Sequence, residues 1–241
     1  IELIRKEVKP ALGCTEPIAV ALAVAKAMEI IEASTSCADG WRYTDSYSIK
    51  VEVSGNILKN GMGVGIPGTG MVGLHIASAL GAVCGKSSYG LEVLNDVSGD
   101  TVELSKAMVD KGLVTVGLAE TDLKLYVKAT VEYDGHSAYA VIEKDHDNIV
   151  ETGFDGKVLS AAAASDEVEC TEQKSTLDYH LTVKEILEFA STVAYEEFET
   201  LDVKSATRDQ IVELLLKSGL WTLLIQRPYG IIANPADMPK S

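Results

Sequence analysis

The longest apolar run in the chain is Pro17-Ile18-Ala19-Val20-Ala21-Leu22-Ala23-Val24-Ala25, ended by Lys26 and followed by an Ala-rich stretch to about Ala33. It is far shorter than the roughly 20 residues that a membrane-crossing helix needs. A helix that is apolar almost all round up to Val24 has no solvent face over its first half. That half must be enclosed, so the fold is built around it. Thr15 is the expected N-cap, and Pro17 fits in a first turn.

The segments that enclose it are read from their periodicity. Residues 46–54 alternate, with Tyr47, Ile49, Val51 and Val53 apolar, and predict a half-buried strand. Three more β-rich runs cover 113–118, 124–133 and 137–143, the last two joined at Asp134-Gly135, a strong hairpin signal. A short edge strand is expected within 145–155. Helices are predicted over 2–10, 71–83, 100–111 (capped by Asp100 and closed by Gly112), 182–195 and 207–217. The fourth opens with a capping box, Thr182 to Glu185. Residues 161–176 are small, polar and acidic and read as a link. Strands cluster instead of alternating with helices. The expected class is therefore α+β: a mixed or antiparallel sheet packed against helices, with a separate C-terminal helical tail.

The formal net charge of −15 argues against nucleic acid or an anionic membrane as partner, since both need a basic surface. Cys14, Cys37, Cys84 and Cys170 lie far apart with no C-x-x-C pair, so no metal site is signalled and reduced thiols in a cytoplasmic protein are expected. The first residue is Ile1 and not Met, which suggests a missing N-terminus. His75, His136, His146 and His180 show no ligand spacing, and Asp145, Asp147 and Asn148 read as a solvated turn.

Two places could carry chemistry. Cys14 stands just before the buried helix, where free N–H groups and the positive dipole end favour a thiolate. Glu16 lies two residues on, placed to relay a proton or orient a substrate amine. The plainer reading is a small packing cysteine with a first-turn carboxylate. The second place is Gly63-Val64-Gly65-Ile66-Pro67-Gly68-Thr69-Gly70, which leads into an apolar helix. Backbone N–H groups without side chains in the way suit a carboxylate or phosphate. Two G-x-G-x-x-G matches occur here, but the strand that the dinucleotide fingerprint needs is lacking, and Pro67 cannot donate to a ladder. A nicotinamide is disfavoured. The plainer reading is that the glycines permit close packing.

The string Lys9-Pro10-Ala11-Leu12-Gly13-Cys14-Thr15-Glu16-Pro17-Ile18-Ala19, within 7–23, closely resembles the opening motif of the L-cysteine desulfidase / iron–sulfur L-serine dehydratase alpha-chain family. Residues 54–73, Ser54-Gly55-Asn56 through Gly70-Met71-Val72-Gly73, resemble its second signature, and Gly90-Leu91-Glu92-Val93-Leu94 continues it. The resemblance covers about residues 1–197. From about 199 the chain resembles instead a segment of one subunit of the sodium-translocating NADH:quinone reductase, on Gln226-Arg227-Pro228-Tyr229-Gly230 and its neighbours. Two domains are expected, 1–197 and 198–241.

The resemblance implies a lyase that converts L-cysteine into pyruvate, ammonia and sulfide, or performs the equivalent elimination on serine. It implies a catalytic role for Cys14 as base, with Glu16 beside it. It implies substrate binding by Thr15, Asn60, Gly65, Gly68, Thr69, Gly70 and Met71. The full-length family uses a [4Fe–4S] cluster held by its C-terminal half. Nothing here matches that half, so no cofactor or metal is expected in this chain, and the lyase is expected to be incomplete, as in a truncated or fused product. A non-catalytic domain that binds a small amino or carboxylic acid, and a docking domain for a separate cluster-bearing chain, stay open beside it. So does a homo-oligomer.

Overall fold

The computed structural model describes residues 11–161 and 182–193. The chain divides into two compact units, Lys9–Val168 on one side and Ile1–Val8 with Glu169–Ser241 on the other. In the second unit the described element is one helix, Val183–Thr192, closed by the expected capping box: the Glu185 amide donates to Thr182 Oγ1 at 3.3 Å and the Thr182 amide to Glu185 Oε2 at 2.8 Å. The helices expected over 2–10 and 207–217, and nearly all of the acidic link, lie outside the described residues.

The main unit is α+β, as its sequence pattern implies. Its long helix α1 spans Thr15–Ser34. Strand β1, Tyr47–Val53, is followed by a short helix α2, Gly55–Gly61. A two-stranded hairpin comes next, β2 (Gly65–Ile66) with β3 (Met71–Val72), then helices α3 (Leu74–Val83) and α4 (Gly99–Asp110). Five strands complete the unit: β4 (Val114–Leu118), β5 (Tyr126–Tyr133), β6 (His136–Glu143), β7 (Ile149–Phe154) and β8 (Lys157–Ala161). The six-stranded sheet runs β4-β1-β5-β6-β7-β8, with β4 parallel to β1 and the remaining pairs antiparallel. The turn at Asp134 and Gly135, both at positive φ, joins β5 to β6 where the Asp-Gly signal places it.

One sheet face is apolar. Tyr47, Ile49, Val51 and Val53 of β1 point to it, with Val127, Ala129 and Val131 of β5 and Ala138, Ala140 and Ile142 of β6, all buried. Helix α1 lies over β5 and β6, where the alanines leave room for a helix backbone. It is buried from Pro17 through Ala25, as its all-round apolar surface requires.

Helix α3 packs on α1 through small residues. A Cβ on Gly81 would stand 2.5 Å from the Ala21 carbonyl oxygen, and one on Gly85 would stand 2.8 Å from Ala25 Cβ. Both contacts step by four residues in the same sense, so the helices run parallel. Counting back from Ala21 to Thr15 and from Gly81 to His75 brings both helix N-termini to one end of the layer.

Four details differ from the expectation. Cys14, not Thr15, is the N-cap of α1. Helix α3 starts at Leu74, not Met71, because Gly73 at φ +100° breaks the chain out of the hairpin. Helix α4 is capped by Ser98, whose Oγ accepts the Thr101 amide at 3.3 Å, and not by Asp100, which lies in the first turn. Helix α2 and strand β8 are additional elements, the first short and flanked by glycines, the second wholly exposed.

Gly81→Ala decides between two opposed effects. Alanine is the better helix former by about 1 kcal/mol. Its Cβ, however, meets the Ala21 backbone, which cannot rotate away, and overpacking of this kind costs about 1–3 kcal/mol. With the clash against backbone, we expect a net loss of up to about 2 kcal/mol in urea denaturation. Gly63→Ala, with no heavy atom within 4 Å, is expected to be neutral within about 0.5 kcal/mol.

Candidate functional site

The site is set by how the chain enters α1. Gly13 has φ +99°, and a Cβ there would stand 3.0 Å from Pro67 Cγ and Cδ. The turn before α1 therefore lies directly on the tip of the glycine hairpin. The Leu12 amide donates to the Leu91 carbonyl at 3.2 Å and fixes the same turn from the other side.

Cys14 then sits at the N-cap with an extended backbone, φ −72° and ψ 138°, and makes no side-chain cap bond. Its thiol donates instead to Glu16 Oε2 at 2.8 Å. The other carboxylate oxygen, Oε1, accepts from Asn60 Nδ2 at 3.3 Å. Asn60 belongs to the last turn of α2, so residues 44 positions apart meet over one carboxylate.

The charge state of this pair differs from the thiolate favoured by the sequence argument. Burial pushes the Cys14 thiol up, and the hydrogen bond to Glu16 and the charge of that carboxylate push it further. The Thr15 and Glu16 amides pull the other way and lose. For Glu16, burial is the largest influence and acts upward. It is outweighed by the Cys14 thiol, the Glu16 amide, Asn60 and the attraction of His146, and the carboxyl is held below its usual range. The resting pair is a thiol donating to a carboxylate, not a free thiolate.

His146 joins this site from a third element, the turn between β6 and β7. It is half-buried, and its burial lowers its pKa against the attraction of Glu16, Asp145 and Asp147. Ligand spacing gave no reason to pick it out. A histidine in a turn has no sequence signal for a partner 130 residues upstream, and only the packing of α1 on β6 supplies it.

The glycine segment is a tight hairpin and not a loop that opens directly into a helix. Thr69 is buried; its hydroxyl donates to the Ile66 carbonyl at 2.7 Å and accepts the Met71 amide at 3.0 Å. Thr69 and Met71 are thus committed to the turn. Gly68 and Gly70, at φ +78° and +66°, are exposed, and their amides make no hydrogen bond to any described residue. Gly65 is exposed in β2, and Thr15 is half-buried in the first turn of α1. The structure therefore brings Cys14, Glu16, Asn60 and the hairpin tip together.

Cys37 shares a 3.0 Å hydrogen bond with Thr35 Oγ1, Cys84 donates to the Leu80 carbonyl at 3.3 Å, and Cys170 lies outside the described residues. Among the described residues no group of three or more His, Cys, Asp or Glu could hold a metal. That donor set does not fit a cubane, which needs about four ligands. A cavity of about 490 Å³ lies at the other end of β1, lined by Asp45, Tyr47, Glu132, Tyr133 and His136 among others, and contains none of the residues above.

Comparison with known proteins bears on the same residues. The chain is 42% identical over 198 residues to a UPF0597 protein of Phocaeicola vulgatus, which takes in 82% of this chain and 42% of that protein. It is 44% identical over 198 residues to a UPF0597 protein of Bacteroides fragilis, covering 82% of this chain and 43% of the relative. It is 40% identical over 190 residues to one of Shewanella pealeana, covering 79% and 42%. Over most of its length the chain is similar to UPF0597 proteins. It spans less than half the length of these curated relatives. Residues 206–241 match the model of the NqrA second alpha/beta domain. No solved structure matches the chain. Among the described residues no helix is long and apolar enough to cross a membrane.

The thiol–carboxylate pair makes a signed prediction. Glu16→Gln removes the acceptor's charge, which raises the thiol's pKa, and leaves burial and the helix amides in place. The pH midpoint for alkylation of Cys14 by iodoacetamide is expected to move down, and the rate at neutral pH to rise. A midpoint that stays or moves up means that the carboxylate does not control the thiol.

Proposed function

We propose that this chain carries the substrate-binding and proton-transfer part of an L-cysteine desulfidase-like lyase site. The observation that supports this reading most is the Cys14–Glu16–Asn60 chain of hydrogen bonds at the N-terminus of α1, set against the tip of the glycine hairpin by the Gly13–Pro67 contact.

In this reading the substrate carboxylate lies on the free Gly68 and Gly70 amides. A fixed carboxylate places the α-carbon within reach of a base beside it. Glu16, the resting proton acceptor, takes the thiol proton, and Cys14 then takes the α-proton. The electron pair of the Cα–H bond becomes the Cα=Cβ double bond. The Cβ–S bond breaks, and sulfur leaves with its electron pair as sulfide. The released aminoacrylate tautomerises to an imine, and water hydrolyses it to pyruvate and ammonium. Asn60 keeps the Glu16 carboxylate turned toward Cys14. His146 offers a second proton-carrying group at the rim, and its attraction favours the ionised form of Glu16. No described residue is assigned to the departing sulfur. A serine substrate would use the same residues, with hydroxide or water in place of sulfide.

Two measurements test this. L-Serine, which cannot itself consume iodoacetamide through a thiol, is expected to slow alkylation of Cys14 in a saturable way, with D-serine much weaker. In the full-length Phocaeicola vulgatus relative, replacing the cysteine aligned with Cys14 by alanine is expected to lower pyruvate formation from L-cysteine or L-serine by about 10²–10⁴, the worth of a positioned acid–base group. Absence of protection by either amino acid sinks the substrate site. Protection without pyruvate formation in the relative favours a non-catalytic site for a small amino or carboxylic acid.

A further inference from the structure

The cavity at the other end of β1 plays no part in the proposed lyase site. Its volume of about 490 Å³ is in the range of sites for small organic ligands. Part of its wall is a row of polar side chains that the sheet register puts side by side. Ser48 of β1 pairs with Glu132 of β5, and Glu132 pairs with Ser137 of β6. Cross-strand partners share one face of a sheet, so a carboxylate stands between two hydroxyls, and all three residues line the cavity. Their side chains make no hydrogen bond or ion pair with a described residue. The charges beside them are already paired. Asp45 Oδ2 takes Lys111 Nζ at 2.6 Å, and Asp155 takes His136 Nδ1 at 2.8 Å and the Ser137 amide at 2.9 Å. Those two hydrogen bonds hold the Asp155 carboxyl below its usual range. The ionised carboxylate can only accept, so the imidazole donates through Nδ1, and Nε2 is the acceptor left on the neutral ring. Stacking on Phe154, with centroids 5.4 Å apart, fixes the ring plane. Half-buried Tyr133, packed on Trp41 with centroids 4.6 Å apart, adds a rigid aromatic wall.

These features select a class of ligand. Glu132 and Asp134 make the wall negative, which repels carboxylates and phosphates. A metal ion needs a convergent donor set, and among the described residues no group of three or more His, Cys, Asp or Glu could hold one. An organic cation with several N–H donors in one plane fits. A guanidinium meets a carboxylate edge-on, keeps further N–H groups for hydroxyls on either side, and stacks on an aromatic ring. We infer that this cavity is a second binding site, for the guanidinium group of a small molecule, with Glu132 as its anchor and Ser48 and Ser137 flanking it. The site is independent of the Cys14 end, and each stands or falls alone.

Calorimetric titration of the full chain with matched probes tests the site. A salt concentration of about 0.15 M screens the general pull of the net charge of −15 on any cation. Butylguanidinium is expected to bind at one saturable site. Butylurea has the same shape without the charge, and butylammonium has the charge without the plane. Each is expected to bind weaker by about ten-fold or more, the worth of a charge-assisted, two-point contact. Glu132→Gln is expected to weaken butylguanidinium by about the same factor, and Ser48→Ala and Ser137→Ala by several-fold each. Glu120→Gln, which removes the same charge from a residue outside the cavity wall, is expected to leave binding unchanged. Glu132 is exposed, so Glu132→Gln is expected to keep the thermal midpoint of the parent. Absence of saturable binding overturns the site. Saturable binding that survives Glu132→Gln overturns its location, and equal binding of butylammonium overturns the planar ligand.

Discussion

The contact on which the rest depends is the close approach of α3 to α1. Gly81 lets the second helix lie against Ala21 with backbone nearly on backbone, and Gly85, just past the end of that helix, lies against the Ala25 methyl. Any side chain at these positions would push the helices apart. The parallel sense of the contact matters as much as its closeness. It brings the two helix starts to the same end, and that end is where the turn at Gly13 meets Pro67. Two sequence motifs well separated along the chain become one surface because of a packing contact away from both of the turns that meet there.

Electrostatics at that end show how magnitudes order competing effects. A helix N-terminus stabilises an exposed negative charge by about 0.3–1 kcal/mol, and the effect fades within a turn. Cys14 sits there and is nevertheless held as a thiol, because burial and a carboxylate at 2.8 Å act against ionisation together. Only one of two adjacent acids keeps the negative charge comfortably. Glu16 keeps it, since it has the lower intrinsic pKa and takes hydrogen bonds from both Cys14 and Asn60. The thiol becomes a base only after its proton has been accepted, and in the proposed reaction Glu16, its hydrogen-bond acceptor, takes that proton.

Much of the fold was legible because its signals are local. Alternation over 46–54 gave β1, Asp134-Gly135 gave the β5–β6 turn, and the unbroken apolar run gave the buried α1. The parts that escaped are those where local signals are weak or tertiary contacts decide. Helix α2 is seven residues long between glycines, too short for a periodic pattern to register. The cap of α4 uses threonine at the third position, where a capping box usually shows Glu or Gln, and so Asp100 drew the attention instead of Ser98. The parallel pairing of β1 with β4 needs a crossover through three helices, which no short motif encodes.

The site was legible in a different way. Cys14 and Glu16 were readable as a pair because two residues at a helix start are close whatever the fold does. The glycine segment was readable as a special backbone, but its form was not. Six glycines within 61–73 permit a cradle, a hairpin or a packing seam, and the choice falls to Thr69, whose hydroxyl ties Ile66 to Met71. That tie closes the turn and leaves Gly68 and Gly70 exposed, their amides without a hydrogen bond to any described residue. His146 could not be read at all, because its relation to Glu16 exists only through the stacking of α1 on the sheet. A chemistry-bearing residue that sits within a local motif can be named from sequence. One that completes the motif from a distant turn has to wait for the core that brings it there.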